Sequence, residues 1–185
     1  MTASLIGEPL AVDLVNTRPL GADLLATPSA LSSWLSAQAD RFPDLAITDP
    51  SPADLAAVHE VRAHTATVLD ALLEHRRPPE SALRGLTSAQ AAAPAIQRLG
   101  WDGATVVATR HREGTAGIRV AAALAEAAAE FLTDPAIGKL RRCAAEDCVL
   151  LFVPTHPRRQ WCSPTRCGNR ARVARYYQRH KDVQP

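Results

Sequence analysis

Aromatic residues, methionine and long apolar runs are scarce in this sequence. Phenylalanine, tryptophan and tyrosine make up 4% of the 185 residues, so the core must consist mainly of leucine, valine, isoleucine and alanine. Alanine is the best helix former, which favours a helical fold. No run of about 18 apolar residues occurs, and the first residues lack the basic segment of a signal peptide. We therefore expect a cytoplasmic protein without a membrane span.

Acidic and basic residues are separated along the chain. The net charge is only +2, but residues 139–185 contain eleven basic and three acidic side chains, which gives +8 there and leaves −6 on residues 1–138. Such asymmetry points to a C-terminal module that binds a polyanion, with nucleic acid as the first candidate. A basic surface that is merely solvated is the alternative. We predict two domains, residues 1–138 and 139–185.

Hydrophobic periodicity predicts a mainly helical N-terminal domain. Ser51 is a suitable N-cap and Pro52 suits the first helical position. The apolar stretch 9–17 is too short for periodicity to distinguish a strand from a helix. The pattern predicts helices over about 28–38, 51–75, 79–93 and 117–132, and a β-hairpin with strands at 96–99 and 105–109.

The four cysteines of the chain lie within 25 residues, in two pairs of identical spacing. The pairs are Cys143-x4-Cys148 and Cys162-x4-Cys167. Four thiolates are the number that a closed tetrahedral zinc site requires, whereas a catalytic zinc usually has histidine or carboxylate ligands and an open position. We predict one structural Zn²⁺ per chain. A redox disulfide switch and an iron–sulfur cluster are the alternatives.

The chain around the cysteines predicts a small zinc finger similar to a treble clef. Residues 149–153 and 160–162 are strand candidates for a β-hairpin, and Ser163-Pro164 predicts the start of a helix that continues to Lys181. Metal binding would supply the folding free energy of so small a module. The predicted fold class is therefore mainly α with a small β-hairpin (α+β): a helical N-terminal domain and a C-terminal zinc finger.

Arginines are concentrated on this hairpin and helix. Arginine forks suit phosphate oxygens and the guanine edge in the major groove, which admits an α-helix. A solvated helix whose arginines pair with the acidic body is the alternative. Val173, Tyr177 and His180 form the opposite face, which we expect to pack. The candidate contacts to double-stranded DNA are Arg158, Arg159, Arg166, Arg170, Arg172, Arg175 and Arg179.

Two motifs resemble known families. CGNR at residues 167–170, preceded by WCS, LF and a cysteine pair, resembles the CGNR zinc finger, and VDLVNT at 12–17 is similar to the motif that opens its usual partner, the ABATE domain. The resemblance spans essentially the whole chain. It implies a bacterial, stress-induced transcription regulator with a mostly helical N-terminal domain, a C-terminal DNA-binding finger and four cysteine ligands. One departure is Val153-Pro154-Thr155, where an acidic residue and a serine are expected; the metal should be unaffected.

Asp13, Asn16 and Thr17 form a polar cluster within the N-terminal motif. They are candidates for lining a ligand pocket, and the alternative is that they form helix caps and local turn hydrogen bonds. We expect Gly168 and Asn169 in the finger motif to pack within the finger.

The main functional hypothesis is a sequence-specific transcriptional regulator whose N-terminal domain dimerises or senses a small molecule. The expected partners are DNA, a small-molecule effector and a second copy of the chain. The alternative is a protein-interaction adaptor whose finger binds an acidic partner. No catalytic constellation is present, so an enzyme is not expected.

Overall fold

The computed structural model describes residues 6–42 and 46–181, apart from the side chains of Arg179 and Lys181. Within these residues most of the chain before residue 134 is helical. The helices are α1 (Leu10–Val15), α2 (Pro28–Ala37), α3 (Pro52–Leu73), α4 (Glu80–Ala92), α5 (Ala116–Thr133), a 3-10 helix (Pro135–Lys139) and α6 (Cys167–Lys181). The strands are β1 (Ile96–Trp101), β2 (Val106–His111), β3 (Arg141–Arg142) and β4 (Leu151–Phe152).

The core lies between α3, α4 and α5, with α1 packed against α3 and α5. The predicted N-cap of α3 is confirmed: Ser51 Oγ accepts a hydrogen bond from Asp54 N–H at 3.2 Å, and Asp54 Oδ2 accepts one from Ser51 N–H at 2.8 Å. Asp54 Oδ1 also accepts from Gly117 N–H at 2.9 Å, which joins the starts of α3 and α5. A Cβ on Gly117 would lie 2.2 Å from Asp54 Oδ1, so this approach requires glycine.

Residues 9–17, whose pattern did not distinguish a strand from a helix, contain α1. It has only six residues, and Leu10, Val12 and Leu14 are buried in the core. Tertiary packing therefore stabilises this helix, because an isolated helix this short is unstable in water.

The predicted hairpin of the N-terminal domain is confirmed, with each strand longer than expected. β1 and β2 pair in antiparallel register from Ile96 opposite His111 to Trp101 opposite Val106. Asp102 Oδ1 accepts hydrogen bonds from Ala104 N–H and Thr105 N–H, both at 2.8 Å, and so fixes the turn. Every residue of β1 is exposed.

The hairpin of the finger differs from the one predicted. β4 pairs with β3, which precedes the first cysteine pair, and residues 160–162 form no strand. Residues 160–162 contact the first cysteine loop instead, through a backbone hydrogen bond in which Ala144 N–H donates to the Gln160 carbonyl at 2.9 Å. Pairing β3 with β4 closes the loop that carries Cys143 and Cys148, which explains why the strand partner lies before that loop.

Helix α6 begins at Cys167, three residues later than predicted. Residues 164–166 form a turn instead, in which Ser163 Oγ accepts a hydrogen bond from Arg166 N–H at 3.2 Å. The predicted fold class is confirmed: a mainly helical chain with small antiparallel hairpins and a C-terminal four-cysteine finger. No described helix is both long and apolar enough to cross a membrane.

Candidate metal centre and basic helix

The structure brings the four cysteine sulfurs together. All four lie within 4.8 Å of one another. Cys162 Sγ is 3.8 Å from Cys148 Sγ and 3.6 Å from Cys167 Sγ. Tetrahedral zinc with bonds of about 2.3 Å requires sulfurs about 3.8 Å apart, so the donor set fits one Zn²⁺ ion.

Short backbone contacts hold the first cysteine pair in position. Cys143 N–H donates to the Leu150 carbonyl at 2.9 Å, which closes the loop between β3 and β4. Within that loop Cys148 N–H donates to the Ala145 carbonyl at 3.0 Å. Cys162 N–H points at Cys143 Sγ, 3.4 Å away, and links the second pair to the first. An N–H donor to a metal-bound sulfur stabilises the thiolate.

Two of the four thiols have raised pKa values. Burial and the neighbouring Cys143 together raise the pKa of Cys148 to about 11. Burial, together with the nearby Cys167, also raises the pKa of Cys162. Zinc takes the place of these protons when it binds, so its binding depends on pH.

Arg170 lies against the sulfur cluster. Its guanidinium donates to Cys167 Sγ at 3.5 Å, and this contact raises the pKa of Arg170. The side chain is otherwise exposed. A tetrathiolate zinc site carries net negative charge, which this guanidinium would offset.

Gly168 and Asn169 have different roles. Gly168 is buried against Trp161, and a Cβ there would lie 3.4 Å from the indole ring, at van der Waals contact distance. Gly168 therefore packs the finger, as expected. Asn169 does not pack: it is exposed, and its Oδ1 accepts a hydrogen bond from Arg172 at 3.0 Å.

Most of the predicted DNA-contacting arginines are exposed. Arg175 donates to the Ala171 carbonyl at 3.2 Å and its guanidinium lies 5.9 Å from the Trp161 ring centre. Among the described residues, none of the exposed arginines in this predicted set forms an ion pair with the acidic body. Arg179 lies in α6, but its side chain is outside the described residues. The exposed set is Arg158, Arg166, Arg170, Arg172 and Arg175.

Arg159 differs from its neighbour because its side chain turns inward. Its guanidinium pairs with Glu8 Oε1 at 2.8 Å, donates to the Cys162 carbonyl at 2.6 Å and lies over the Phe152 ring at 4.7 Å. These contacts occupy the donors that a phosphate would need. The structure therefore gives Arg159 a role inside the finger, and we leave it out of the proposed interface.

The face of α6 that was expected to pack is exposed. Val173 is 49% exposed and Tyr177 66%, and His180 is also exposed. The prediction was wrong because a helix of 15 residues is about 22 Å long, whereas its buried residues, Cys167 and Gly168, lie in the first turn and residues 172–178 are exposed. Tyr176 stacks on His180 with ring centres 4.1 Å apart, within the helix itself.

The predicted ligand cluster is buried and its polar atoms bond within the chain. Asp13 accepts hydrogen bonds from Gly7 N–H at 3.0 Å, Glu8 N–H at 3.1 Å and Arg41 at 2.7 Å. Thr17 Oγ1 donates to the Leu14 carbonyl at 2.6 Å and accepts from Arg62 at 3.0 Å. These bonds agree better with helix-end and turn roles than with a ligand pocket.

Asn16, the third member of the cluster, contacts the finger. Its Nδ2 donates to the Leu151 carbonyl at 2.9 Å, and Leu151 N–H donates to its Oδ1 at 2.8 Å. Two residues further along, Val153 N–H donates to Glu8 Oε2 at 2.8 Å. Side chains that precede and follow α1 therefore hold the backbone of Leu151 in β4 and of Val153 just after it. Sequence reasoning missed this contact.

A cavity of about 480 Å³ lies beside Asn16, where α3 meets the finger. Asn16 lines it, whereas Asp13 and Thr17 do not. Its charged lining includes Arg18, Arg142 and the ion pair of Arg62 with Asp23, which are 2.6 Å apart.

The fold and the metal centre together define a zinc-finger protein with a helical N-terminal body. Residues 139–180 match the model of the CGNR zinc finger, and residues 8–135 match the ABATE model, which is described as a putative stress-induced transcription regulator. The chain belongs to the ABATE family and carries the CGNR zinc finger at its C-terminal end. The family assignment and the single structural zinc are thus confirmed. A search of curated proteins finds no match.

Proposed function

We propose that the chain is a DNA-binding transcription regulator in which the zinc finger presents α6 to double-stranded DNA. The observation that carries this proposal is the set of exposed arginines on α6 and beside it, none of which forms an ion pair with a carboxylate among the described residues. Guanidinium groups that no carboxylate neutralises attract phosphates, and counterion release drives binding. The description of the family as a stress-induced regulator supports the same function.

The zinc ion would be held by Cys143, Cys148, Cys162 and Cys167, and it would supply cross-linking and folding free energy rather than catalysis. Because Cys167 is the first residue of α6, the metal centre fixes the N-terminal end of that helix. Arg172 and Arg175 then project from a fixed base. In this proposal the chain has no catalytic activity.

The arginines would divide between two kinds of contact. Arg158, Arg166 and Arg175 suit phosphates, because contacts to the backbone make up most of a protein–DNA interface. Asn169 and Arg172 lie on the first exposed turn of α6 and are hydrogen-bonded to each other. Asparagine pairs with adenine and arginine with guanine in the major groove, so this pair is our candidate for sequence recognition.

The N-terminal body would position the finger and respond to an effector. A small molecule in the cavity beside Asn16 would contact both α3 and residues 149–151 of the finger. Such a ligand would therefore change how firmly the finger is held. The charges of the lining are largely paired, because Arg62 lies 2.6 Å from Asp23 and Arg142 lies 2.8 Å from Asp70, so they do not select a charged ligand class.

The alternative is an adaptor whose finger binds an acidic protein. The exposed side chains of Val173, Tyr176 and Tyr177 favour this alternative, because aromatic residues are enriched at protein interfaces. Binding to duplex DNA with a measurable base preference would decide against it.

The direct test is a mobility-shift titration of the zinc-loaded chain with duplex DNA at several salt concentrations. Arg175→Ala should lower the affinity for all sequences and reduce the salt slope by about one charge. Arg172→Ala should also reduce the ratio of the affinity for preferred DNA sequences to the affinity for other sequences. Arg84→Ala is the matched control, because Arg84 is equally exposed but lies on α4 and pairs with Glu80 at 2.8 Å. Equal loss in all three variants, or no shift at low salt, would overturn the proposal.

A further inference from the structure

The β1–β2 hairpin presents an apolar face that no described residue covers. Its register places Leu99 opposite Ala108 and Trp101 opposite Val106. Directly opposed residues of antiparallel strands lie on the same face, and alternate rows share that face. Leu99 is 74% exposed, Trp101 67% and Val106 68%. We call Leu99, Trp101, Val106 and Ala108 the hairpin patch.

The hairpin has little support from the rest of the chain. On β2 only Val107 and His111 are partly buried, and every residue of β1 is exposed. A two-stranded hairpin is marginally stable in water unless it packs against another element. Soluble monomers seldom keep a large exposed apolar patch without a binding role. The hairpin patch therefore requires a partner.

We propose that the partner is the hairpin patch of a second copy of this chain. The third row on the same face is Gln97 opposite Arg110, at the base of the hairpin. The face is thus aromatic at its tip, aliphatic in the middle, and polar and positive at its base. This order is complementary to itself when two hairpins stack in opposite directions.

A two-fold axis through the middle row generates the interface. The Leu99–Ala108 rows of the two copies then meet, and each Trp101–Val106 row lies on the other copy's Gln97–Arg110 row. Arg110 forms an ion pair with Glu126 at 3.6 Å, but its side chain is 48% exposed. The exposed part of its guanidinium can lie on the Trp101 ring of the other copy and form a cation–π contact.

The biological role of this dimer rests on the proposed function. Two fingers joined by one symmetric interface would bind two half-sites of DNA, so that the second contact becomes intramolecular. The interface itself is a property of the free chain and is tested without DNA.

The test is sedimentation equilibrium of the full zinc-loaded chain. Wild type should be a dimer, and Leu99→Glu and Trp101→Glu should each raise the dimer dissociation constant at least tenfold. Thr109→Glu is the matched control, since Thr109 is an exposed residue of the same hairpin in a row of the opposite face. A monomeric wild type, or a dissociation constant that Thr109→Glu raises as much as Trp101→Glu does, would overturn the inference.

A second pair of variants tests the orientation of the two hairpins. Arg110→Gln should weaken the dimer, because it removes the cation from the indole face. Arg98→Gln is the control: it also removes one ion pair, with Glu113 at 3.4 Å, but it lies in a row of the other face and should leave the dimer intact. A mobility shift measured in parallel separates the two proposals. A monomeric wild type that binds DNA refutes the dimer interface alone, and a dimer that binds no DNA refutes the proposed function alone.

Discussion

Asn16 binds the backbone of Leu151 through both ends of its amide, with hydrogen bonds of 2.9 Å and 2.8 Å. The two residues are 135 positions apart, and both are buried. A side-chain amide that pairs with an N–H and a C=O of one residue imitates a neighbouring strand. The N-terminal body therefore holds β4, and with it the metal centre, by backbone contacts.

Asn16→Ala should loosen the finger from the body. The N–H and C=O of Leu151 would be buried without these partners, which costs about 2 to 4 kcal/mol in total. Limited proteolysis and amide exchange should show faster cleavage and exchange at residues 149–153. Asn169→Ala is the control, because that asparagine is exposed and should leave stability unchanged. Equal exchange in wild type and Asn16→Ala would contradict the role of this contact.

Replacement of Arg158 and of Arg159 by alanine should have different effects on stability and on DNA binding. Arg159→Ala leaves Glu8 partly buried without its cation and should destabilise the finger by about 2 kcal/mol or more. Arg158→Ala should weaken DNA binding and leave the melting temperature unchanged, because that side chain is exposed. Thermal unfolding and a DNA titration on both variants check this. If both variants changed stability and DNA affinity to the same extent, the structural role that we assign to Arg159 would be wrong.

Cys148→Ser should abolish stoichiometric zinc. Elemental analysis should give one zinc per chain for wild type and well below one for the variant, while circular dichroism should show that the helical body stays folded. Acid should release zinc from wild type, because the thiolates that bind it become protonated. Ser163→Ala, which removes only the hydroxyl that accepts from Arg166, should retain zinc. Full retention by Cys148→Ser would exclude that residue as a ligand.

The ion pair of Asp23 with Arg62 should make the stability of the body depend on pH. Hydrogen bonds from Arg62 lower the pKa of Asp23 from 3.8 to about 2. A carboxyl group whose pKa is lowered by folding stabilises the fold above its unfolded pKa, and the effect disappears as the pH falls through the folded value. Wild type should thus lose stability between about pH 4 and 2. The Asp23→Asn variant should be less stable than wild type at neutral pH, and its stability should change less between pH 4 and 2. Asp40→Asn is the control, because Asp40 is exposed and lies outside this ion pair, and this variant should keep the loss of stability seen in wild type.

Local features of the fold were predictable from the sequence, and long-range contacts were not. The Ser51 cap, the β1–β2 hairpin and the spacing of the four cysteines each depend on neighbouring residues. The inward turn of Arg159 depends on Glu8, 151 residues away, and no pattern near either residue indicates that pair. The same holds for Asn16, whose motif was noticed but whose partner was not.

The finger hairpin was mispredicted for a related reason. Residues 149–153 have the composition of a strand, but their partner is decided by the metal loop that they close rather than by the next apolar segment. The exposure of α6 was missed because Val173 and Tyr177 have helical spacing typical of a packing face. Spacing identifies a face, but it does not show whether the domain is large enough to cover that face.

In our proposal a zinc-ordered finger presents α6 to DNA. The decisive experiment is recovery of genomic DNA bound to the purified zinc-loaded chain, followed by sequencing. Wild type should enrich fragments with a shared sequence, Arg172→Ala should enrich them less selectively, and Cys148→Ser should recover none above background. Recovery of no enriched fragments by wild type, or equal recovery by wild type and Cys148→Ser, would contradict it.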